Sequence, residues 1–387
     1  MDCIYLDNAA TTPMRQEVRE VFAGALERTF GNPSSIHSVG QEAKKLLEES
    51  RERAAACIGA PPGNLIFTGG GTESDNLAVR GAARAYPGRG RHIITSAIEH
   101  HAVLNCSKAL ESEGFEVSYI PANRKCIVEP ERIAAALRPD TVLVSVMFAN
   151  NETGTLEPIR EIARIAHEGG ALFHTDAVQA AGKVPINVDD LDVDLLSLSG
   201  HKIYGPKGTG ALYIRSGTKL VPLTYGGKHE KSFRPGTENV PGIAAFATAL
   251  ELATSELPGS AEHLMKMKET LAAGIIEAIG AVHRNGSSTN SLPNILNMSF
   301  EGVDGESILL NLDLMGIAVS TGSACTSGAV EPSHVLLAMG VPPQIAQSSI
   351  RFSFGRENTE AEVRRVLEVL PDIITRLRGL STMKISE

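Results

Sequence analysis

A lysine and an aspartate each follow a short apolar run in this chain. Lys202 comes shortly after Val193–Leu198, and Asp176 directly follows Ala171–Thr175. A lysine that is desolvated at the end of a buried strand has a lowered pKa and can act as a nucleophile. A buried carboxylate there needs a cationic or protonated partner. Taken singly, Lys202 could be a solvated surface residue and Asp176 a helix N-cap.

Three consecutive glycines could bind a phosphate group. Gly69, Gly70 and Gly71 lie between the apolar run ending at Thr68 and a helical pattern. Glycine lets the backbone approach a ligand closely, and the N-terminus of the following helix attracts anions. The Walker pattern is absent, which argues against a nucleotide triphosphatase loop. A plain tight turn is the alternative interpretation.

These groups together meet the requirements of pyridoxal 5'-phosphate. Its phosphate needs a helix N-terminus, its aldehyde needs a lysine such as Lys202 to form a Schiff base, and its pyridine nitrogen needs a carboxylate such as Asp176. His100 ends another apolar run, so it could stack on the ring, shuttle a proton, or simply cap a helix.

Short apolar runs alternate with amphipathic helical patterns from about residue 65 to residue 214. This alternation predicts an α/β fold with a mostly parallel sheet, at whose carboxyl edge ligands bind. After Pro241 the pattern changes to long helices and separate strands, which predicts a smaller α+β domain. We expect a large domain over residues 15–255 and a small domain formed by residues 1–14 and 256–387.

The composition excludes several classes of function. The 387 residues carry 36 Lys+Arg and 45 Asp+Glu, a net charge of −9. This balance offers no basic surface for nucleic acid. No apolar run reaches the roughly 18 residues that span a bilayer, and the first residues lack a signal-peptide pattern. We therefore expect a cytoplasmic protein with no membrane and no direct nucleic-acid partner.

The cysteines are few and widely spaced. There are five, and no Cys-x-x-Cys motif occurs; the positions are Cys3, Cys57, Cys106, Cys126 and Cys325. The odd number and the spacing argue against a disulfide framework and against a metal site. Cys325 lies in a small, polar, Gly-flanked segment over residues 320–329, which predicts an exposed functional loop. The other four are predicted to be incidental thiols, because free cysteine usually packs as a small hydrophobe.

Several motifs make the chain resemble pyridoxal-phosphate-dependent cysteine desulfurases of the NifS/IscS type, in the class V aminotransferase superfamily. The resemblance covers nearly the whole length. The matching motifs are Tyr5-Leu6-Asp7-Asn8-Ala9-Ala10-Thr11-Thr12-Pro13, Gly31-Asn32-Pro33-Ser34-Ser35, Gly71-Thr72-Glu73-Ser74, Glu99-His100, Asn150-Asn151-Glu152, Asp176-Ala177-Val178-Gln179, Ser199-Gly200-His201-Lys202, Arg234-Pro235-Gly236-Thr237, Ser323-Ala324-Cys325-Thr326-Ser327 and Ser349-Ile350-Arg351-Phe352-Ser353.

The resemblance implies a role for each matching residue. It gives Lys202 the Schiff base, Asp176 the pyridine nitrogen and His100 the face of the ring. Gln179 would contact the ring oxygen, and Asn151 would lie beside cofactor and substrate. The phosphate would be held by Gly71, Thr72, Ser199 and His201, with Thr237 reaching the phosphate of the partner subunit. The substrate would be bound by Arg351 at its carboxylate, with Asn32 lining the pocket.

The family resemblance also implies a fold, an activity and partners. The expected fold is that of the aspartate-aminotransferase-like transferases. The expected reaction removes sulfur from L-cysteine, gives L-alanine and leaves a persulfide on Cys325. The expected partners are a second copy of the chain and a sulfur-acceptor protein such as an iron–sulfur scaffold.

Two alternatives remain open from the sequence. One is another reaction on the same scaffold, such as a transaminase, a selenocysteine lyase or a kynureninase-like hydrolase, because fold does not fix the reaction. Cys325 in its loop is the feature that separates these from a desulfurase. The other is a catalytically silent subunit, which the intact set of Lys202, Asp176, His100 and Cys325 argues against.

Overall fold

The computed structural model describes residues 3–321 and 331–381. Its strands are β1 (Ile4–Tyr5), β2 (Leu65–Thr68), β3 (His92–Ser96), β4 (Glu116–Ile120), β5 (Thr141–Ser145), β6 (Leu172–Asp176), β7 (Leu195–Ser199), β8 (Gly210–Ile214), β9 (Val282–Asn285), β10 (Ile295–Phe300), β11 (Ile317–Ala318) and β12 (Ser349–Ser353).

The α-helices lie between these strands and after the last of them. They are α1 (Gln16–Arg28), α2 (Ser38–Ala56), α3 (Gly71–Ala85), α4 (His101–Ser112), α5 (Pro130–Ala136), α6 (Ile159–Glu168), α7 (Val188–Leu191), α8 (Val240–Ser255), α9 (Leu257–Ala278), α10 (Gly305–Leu314), α11 (His334–Ala338), α12 (Pro343–Gln347) and α13 (Glu360–Leu380).

A mixed, mostly parallel sheet forms the centre of the fold. Its strand order is β2-β8-β7-β6-β5-β3-β4, with β8 antiparallel to both of its neighbours and the other pairs parallel. All residues of β5 and β7 are buried, as expected for strands covered on both faces. The predicted α/β class with a mostly parallel sheet is therefore confirmed.

A second, smaller set of strands lies after α9. The antiparallel sheet β12-β10-β9 is joined by the parallel pair β1–β11. Apolar residues of α9, α10 and α13 pack on these strands in their own cluster, which also includes Leu6 from the N-terminal segment. The division into 15–255 and into 1–14 with 256–387 stays a prediction, and α11 and α12 contribute Val335, Leu336 and Ala346 to the core beside the large sheet.

The predicted helices and strands are found, with shifted ends. Strand β5 ends at Ser145 within the longer apolar run Thr141–Phe148, although the N–H groups of Val146 and Phe148 still bond to oxygens of β6. The last helix, α13, begins after Thr359, and this residue forms a capping box with Glu362. Within the described residues, no helix combines the length and apolar character that crossing a bilayer requires.

Candidate active site

A cavity of about 1160 Å³ opens where β6 and β7 end. This is the carboxyl edge of the parallel strands, at which ligands bind in open α/β sheets. Ten of the residues that the sequence predicts for the site border this cavity: Gly71, Thr72, His100, Asn151, Asp176, Gln179, Ser199, His201, Lys202 and Arg351.

Lys202 lies in a short 3-10 turn that follows β7 directly. Its Nζ donates hydrogen bonds to the main-chain oxygens of Ala9, at 2.5 Å, and Ala10, at 2.6 Å. Gln179 Nε2 donates to the same Ala9 oxygen at 2.9 Å. The N-terminal segment thus forms one wall of the site, and it holds the amine of Lys202 near the side chain of Gln179.

Asp176 ends β6 and is 6% exposed. Burial raises the pKa of its carboxyl to about 6, while the Val178 N–H and the nearby Lys202 favour the charged form. The Val178 N–H donates to Asp176 Oδ1 at 2.8 Å. The site therefore contains a buried acid that is mostly ionised at neutral pH and lies beside a basic nitrogen.

The glycines between β2 and α3 leave the start of α3 open. Gly70 precedes the helix with φ +146° and offers no side chain to cap it. A Cβ on Gly71 would approach Val178 Cγ2 to 2.8 Å, closer than real Cβ contacts, so only glycine fits there. The helix N-terminus attracts anions, and Thr72, Ser199 and His201 border the same part of the cavity. This cradle fits a phosphate group.

His100 is the N-cap of α4 and its Nδ1 accepts a hydrogen bond from the Ala102 N–H at 3.1 Å. Burial, and then the nearby Lys202, lower the pKa of His100 to about 4. The imidazole is thus neutral at physiological pH, which suits it to stack on an aromatic ring. Both the capping and the ring-contact interpretations are compatible with this position.

Arg351 comes from β12 of the smaller sheet and is 5% exposed. Its Nη1 donates to Asn151 O at 2.9 Å, and its Nη2 donates to Asp7 Oδ1 at 2.8 Å. Its Nε is buried with no hydrogen-bond partner among the described residues. The guanidinium, which borders the cavity, is held in place from two sides, and Nη1 and Nη2 each carry a second N–H that could bind an anionic substrate.

Two predicted residues of the described chain do not border the cavity, and a third lies outside the described residues. Asn32 and Thr237 are exposed, and neither lines the cavity. Asn32 Oδ1 accepts a hydrogen bond from the Ser34 N–H at 2.9 Å. Cys325 lies outside the described residues. The roles of all three remain predictions.

Comparisons with known proteins cover almost the whole chain. The family described as aminotransferase class-V matches residues 4–366. The chain belongs to the class-V aminotransferase family. It is 52% identical over 381 residues to a protein of Dictyoglomus turgidum named cysteine desulfurase IscS, covering 98% of this chain and 97% of that protein. It is 51% identical over 380 residues to a protein of the same name from Methanosarcina thermophila, covering 98% and 94%.

Solved structures of class-V relatives share the fold. A structure titled NifS-like protein superposes with a TM-score of 0.91 at 40% identity, covering 97% of this chain and all of that one. The predicted family, the fold of the large and small sheets, and pyridoxal 5'-phosphate as the family's cofactor are thereby confirmed. The cradle, the buried carboxyl and the lysine described above fit that cofactor.

Two buried acids of this class-V site were missed by the sequence reasoning. Glu152 is 2% exposed, borders the cavity, and accepts a hydrogen bond from Ser333 Oγ at 2.5 Å; burial raises its pKa to about 7. Asp75 borders the cavity from α3. Glu152 is part of the motif Asn150-Asn151-Glu152 but was given no role, and Asp75 directly follows the motif Gly71-Thr72-Glu73-Ser74. Their position in or directly after a site motif was the feature of the sequence that could have identified them as site residues.

Proposed function

We propose that the protein is a cysteine desulfurase. It takes sulfur from L-cysteine, releases L-alanine and leaves the sulfur as a persulfide on Cys325. The observation that carries the proposal is the meeting of Lys202, Asp176 and the glycine cradle with Arg351 in one cavity. The two relatives named cysteine desulfurase IscS support the choice of reaction.

Pyridoxal 5'-phosphate would be bound by residues that the cavity brings together. The α3 N-terminus at Gly71 and Thr72, with Ser199 and His201, would hold its phosphate. Asp176 would face the ring nitrogen, with Gln179 at the ring oxygen and His100 on its face. When bound, the cofactor supplies an electron sink for the charge that develops at the substrate α-carbon.

The α-proton of cysteine would be moved by Lys202. Its Nζ is held by the oxygens of Ala9 and Ala10, so the amine stays on one side of the cavity. A neutral Nζ takes the proton from the α-carbon and later returns a proton as alanine forms. Removing this amine would remove both the attachment point of the cofactor and the proton carrier.

Arg351 would bind the substrate carboxylate, with Asn151 beside it. Nη1 and Nη2 of Arg351 each carry an N–H besides those donated to Asn151 and Asp7. Hydrogen bonds from a guanidinium to a carboxylate are charge-assisted and fix the orientation of the bound acid. The amino acid would then present its α-carbon toward Lys202 and its sulfur toward the entrance.

Sulfur transfer requires a thiolate, because the thiol form is a poor nucleophile. Cys325 attacks the substrate sulfur, the carbon–sulfur bond breaks, and its electron pair stays with the alanine carbon until a proton is added. Burial raises the pKa of Cys57, raises that of Cys106 to about 12, and raises that of Cys126 well above its ordinary value. These three thiols stay protonated, which supports Cys325 as the acceptor.

We also propose that the protein is a cytoplasmic homodimer that passes its sulfur to an acceptor protein such as an iron–sulfur scaffold. Three large apolar side chains are strongly exposed on neighbouring loops: Phe30 at 80%, Ile36 at 95% and Tyr225 at 82%. The loops are close, since Ser34 Oγ lies 3.5 Å from His229 Nε2. A second copy covering this surface would bring its site toward Thr237 and Asn32.

Mass spectrometry after brief exposure to L-cysteine tests the proposed reaction. We expect one added sulfur atom on the peptide that contains Cys325, together with formation of alanine. Lys202→Ala should abolish both products. Alanine formation without sulfur on any cysteine would contradict the persulfide, and release of a keto acid in place of alanine would favour a transaminase.

A further inference from the structure

A second acid lies close to Asp176 in the buried layer behind the cavity. Asp75 is on α3, one turn after the glycine cradle, and is 1% exposed. It borders the same cavity as Asp176. Its Oδ1 has no hydrogen-bond partner among the described residues. A carboxyl so deeply buried needs a partner or a proton.

Among the described residues, no cation lies beside Asp75 that could hold it ionised. The titratable groups that face it are Asp176 and His174 from β6, Glu99 from the segment after β3, and the thiol of Cys106 from α4. His174 Nε2 lies 3.7 Å from Asp75 Oδ1, but burial lowers the pKa of this histidine to about 3. The ring is therefore neutral, and its nitrogens pair with hydroxyls of Ser145, at 2.8 Å, and Ser197, at 3.0 Å.

The two aspartates compete for one negative charge. Two neighbouring buried carboxylates repel each other, so one of them keeps a proton. Asp176 has the Val178 N–H and the charge of Lys202 to favour its ionised form. Asp75 has only a hydrogen bond with Ser197, while burial and repulsion by Asp176 raise its pKa well above the ordinary value. The charge thus belongs on Asp176.

We propose that Asp75 is a positioning residue, a protonated carboxylic acid that lets Asp176 alone carry the negative charge facing the cofactor. An ionised Asp75 would push the proton onto Asp176, which would then lose its charge for the ring nitrogen. The neutral acid also hydrogen-bonds with Ser197, which is the partner of Asp176 across β6 and β7. This inference rests on the proposed binding of pyridoxal 5'-phosphate.

Two substitutions of Asp75 distinguish a protonated acid from a carboxylate and from a residue that only fills space. Asp75→Asn keeps the shape and hydrogen bonding of the neutral acid, whereas Asp75→Leu keeps only the approximate size. We expect Asp75→Leu to lower kcat about ten-fold or more, because it removes the hydrogen-bonding group beside Asp176 and leaves Ser197 only its contact with His174. The KM for cysteine should change little, because Arg351 is unaffected. Asp75→Asn should restore most of the lost rate and keep the wild-type pH dependence of the cofactor absorbance.

Infrared difference spectra of the holoenzyme provide a readout that does not depend on turnover. A protonated carboxyl has a C=O stretch that a carboxylate lacks. Wild type minus Asp75→Asn should contain this band at pH 7. Glu157→Gln is the matched control: Glu157 is another buried acid with an unpartnered oxygen, it does not line the cavity, and its loss should leave the cofactor absorbance unchanged.

The outcomes separate this inference from the proposed function. A missing band for Asp75, or a loss of rate in Asp75→Asn as large as in Asp75→Leu, would overturn the protonated-acid role even if the enzyme releases sulfide. Wild-type kinetics in Asp75→Leu would overturn the positioning role. Absence of sulfide release from the wild type, with the band present, would instead contradict the desulfurase reaction.

Discussion

Ser320 and Arg351 exchange two backbone hydrogen bonds. The Ser320 N–H donates to Arg351 O at 3.2 Å, and the Arg351 N–H donates to Ser320 O at 2.7 Å. Ser320 lies five residues before Cys325 in the sequence. The residue proposed to bind the substrate carboxylate is therefore paired with the chain that leads to the proposed sulfur acceptor.

Arg351→Lys should weaken binding of L-cysteine. Lysine keeps the charge but lacks the forked donors that hold Asn151 and Asp7. We expect KM to rise about 10- to 100-fold, because a hydrogen bond to a charged group contributes roughly 1.5–3 kcal/mol. The fall in kcat should be smaller. Steady-state alanine production at varied cysteine concentrations measures both quantities.

The matched control is Arg364→Lys on the exposed surface of α13, where the side chain is 66% exposed. This variant should keep the wild-type KM. An unchanged KM in Arg351→Lys would show that another group binds the carboxylate.

Cys325→Ser should bind pyridoxal 5'-phosphate normally and release no sulfide above the background without protein. Serine has no sulfur atom to accept the persulfide, while the cofactor site on Lys202 is intact. Cofactor absorbance and sulfide release in the presence of a reductant measure the two properties. Cys3→Ser removes an exposed thiol and should retain the wild-type rate. Sulfide release at the wild-type rate from Cys325→Ser would rule out its proposed role.

Much of the fold could be predicted because the central strands are continuous apolar runs. β6 and β7 are almost entirely buried; Asp176 ends β6, and Lys202 lies in the turn after β7. Strand ends were less predictable. Val146 and Met147 continue the apolar run but lie beyond the end of β5 at Ser145, so hydropathy alone does not fix where the strand stops.

The site was predictable where its residues lie at strand ends or in known motifs. Arg351 was placed only by resemblance, because nothing local shows that β12 of the smaller sheet reaches the large-sheet cavity. Asp75 and Glu152 were missed for a related reason. Acids on a helix or loop normally face solvent, and only the tertiary packing buries these two, at 1% and 2% exposure.

Ile36→Glu should dissociate the proposed homodimer. Ile36 is 95% exposed in the single chain, and a charge buried in an apolar interface without a partner is strongly unfavourable. Analytical ultracentrifugation should detect dimers for the wild type and a shift to monomers for the variant. Pyridoxal 5'-phosphate should also bind more weakly, because Thr237 would no longer reach the partner subunit.

Leu314→Glu is the control for this surface. Leu314 is 82% exposed but lies on α10, away from the loops that carry Phe30 and Ile36. It should leave the sedimentation profile unchanged. Monomeric wild-type protein would contradict the homodimer directly, and a fully dimeric Ile36→Glu would place the interface elsewhere.

Glu99→Gln should reduce the loss of stability that accompanies rising pH. Burial raises the pKa of Glu99 from 4.5 to about 8, so the folded protein keeps a proton that the unfolded chain releases between these values. The free energy of unfolding therefore falls as pH rises through this range. Glutamine does not titrate, so the slope should decrease by up to about 1.4 kcal/mol per pH unit. Urea denaturation from pH 5 to 8 measures the slope of the unfolding free energy against pH.

The control is Glu161→Gln, which replaces an exposed acid on α6 and should keep the wild-type slope. A wild-type slope in Glu99→Gln would mean that Glu99 is already ionised in the folded protein.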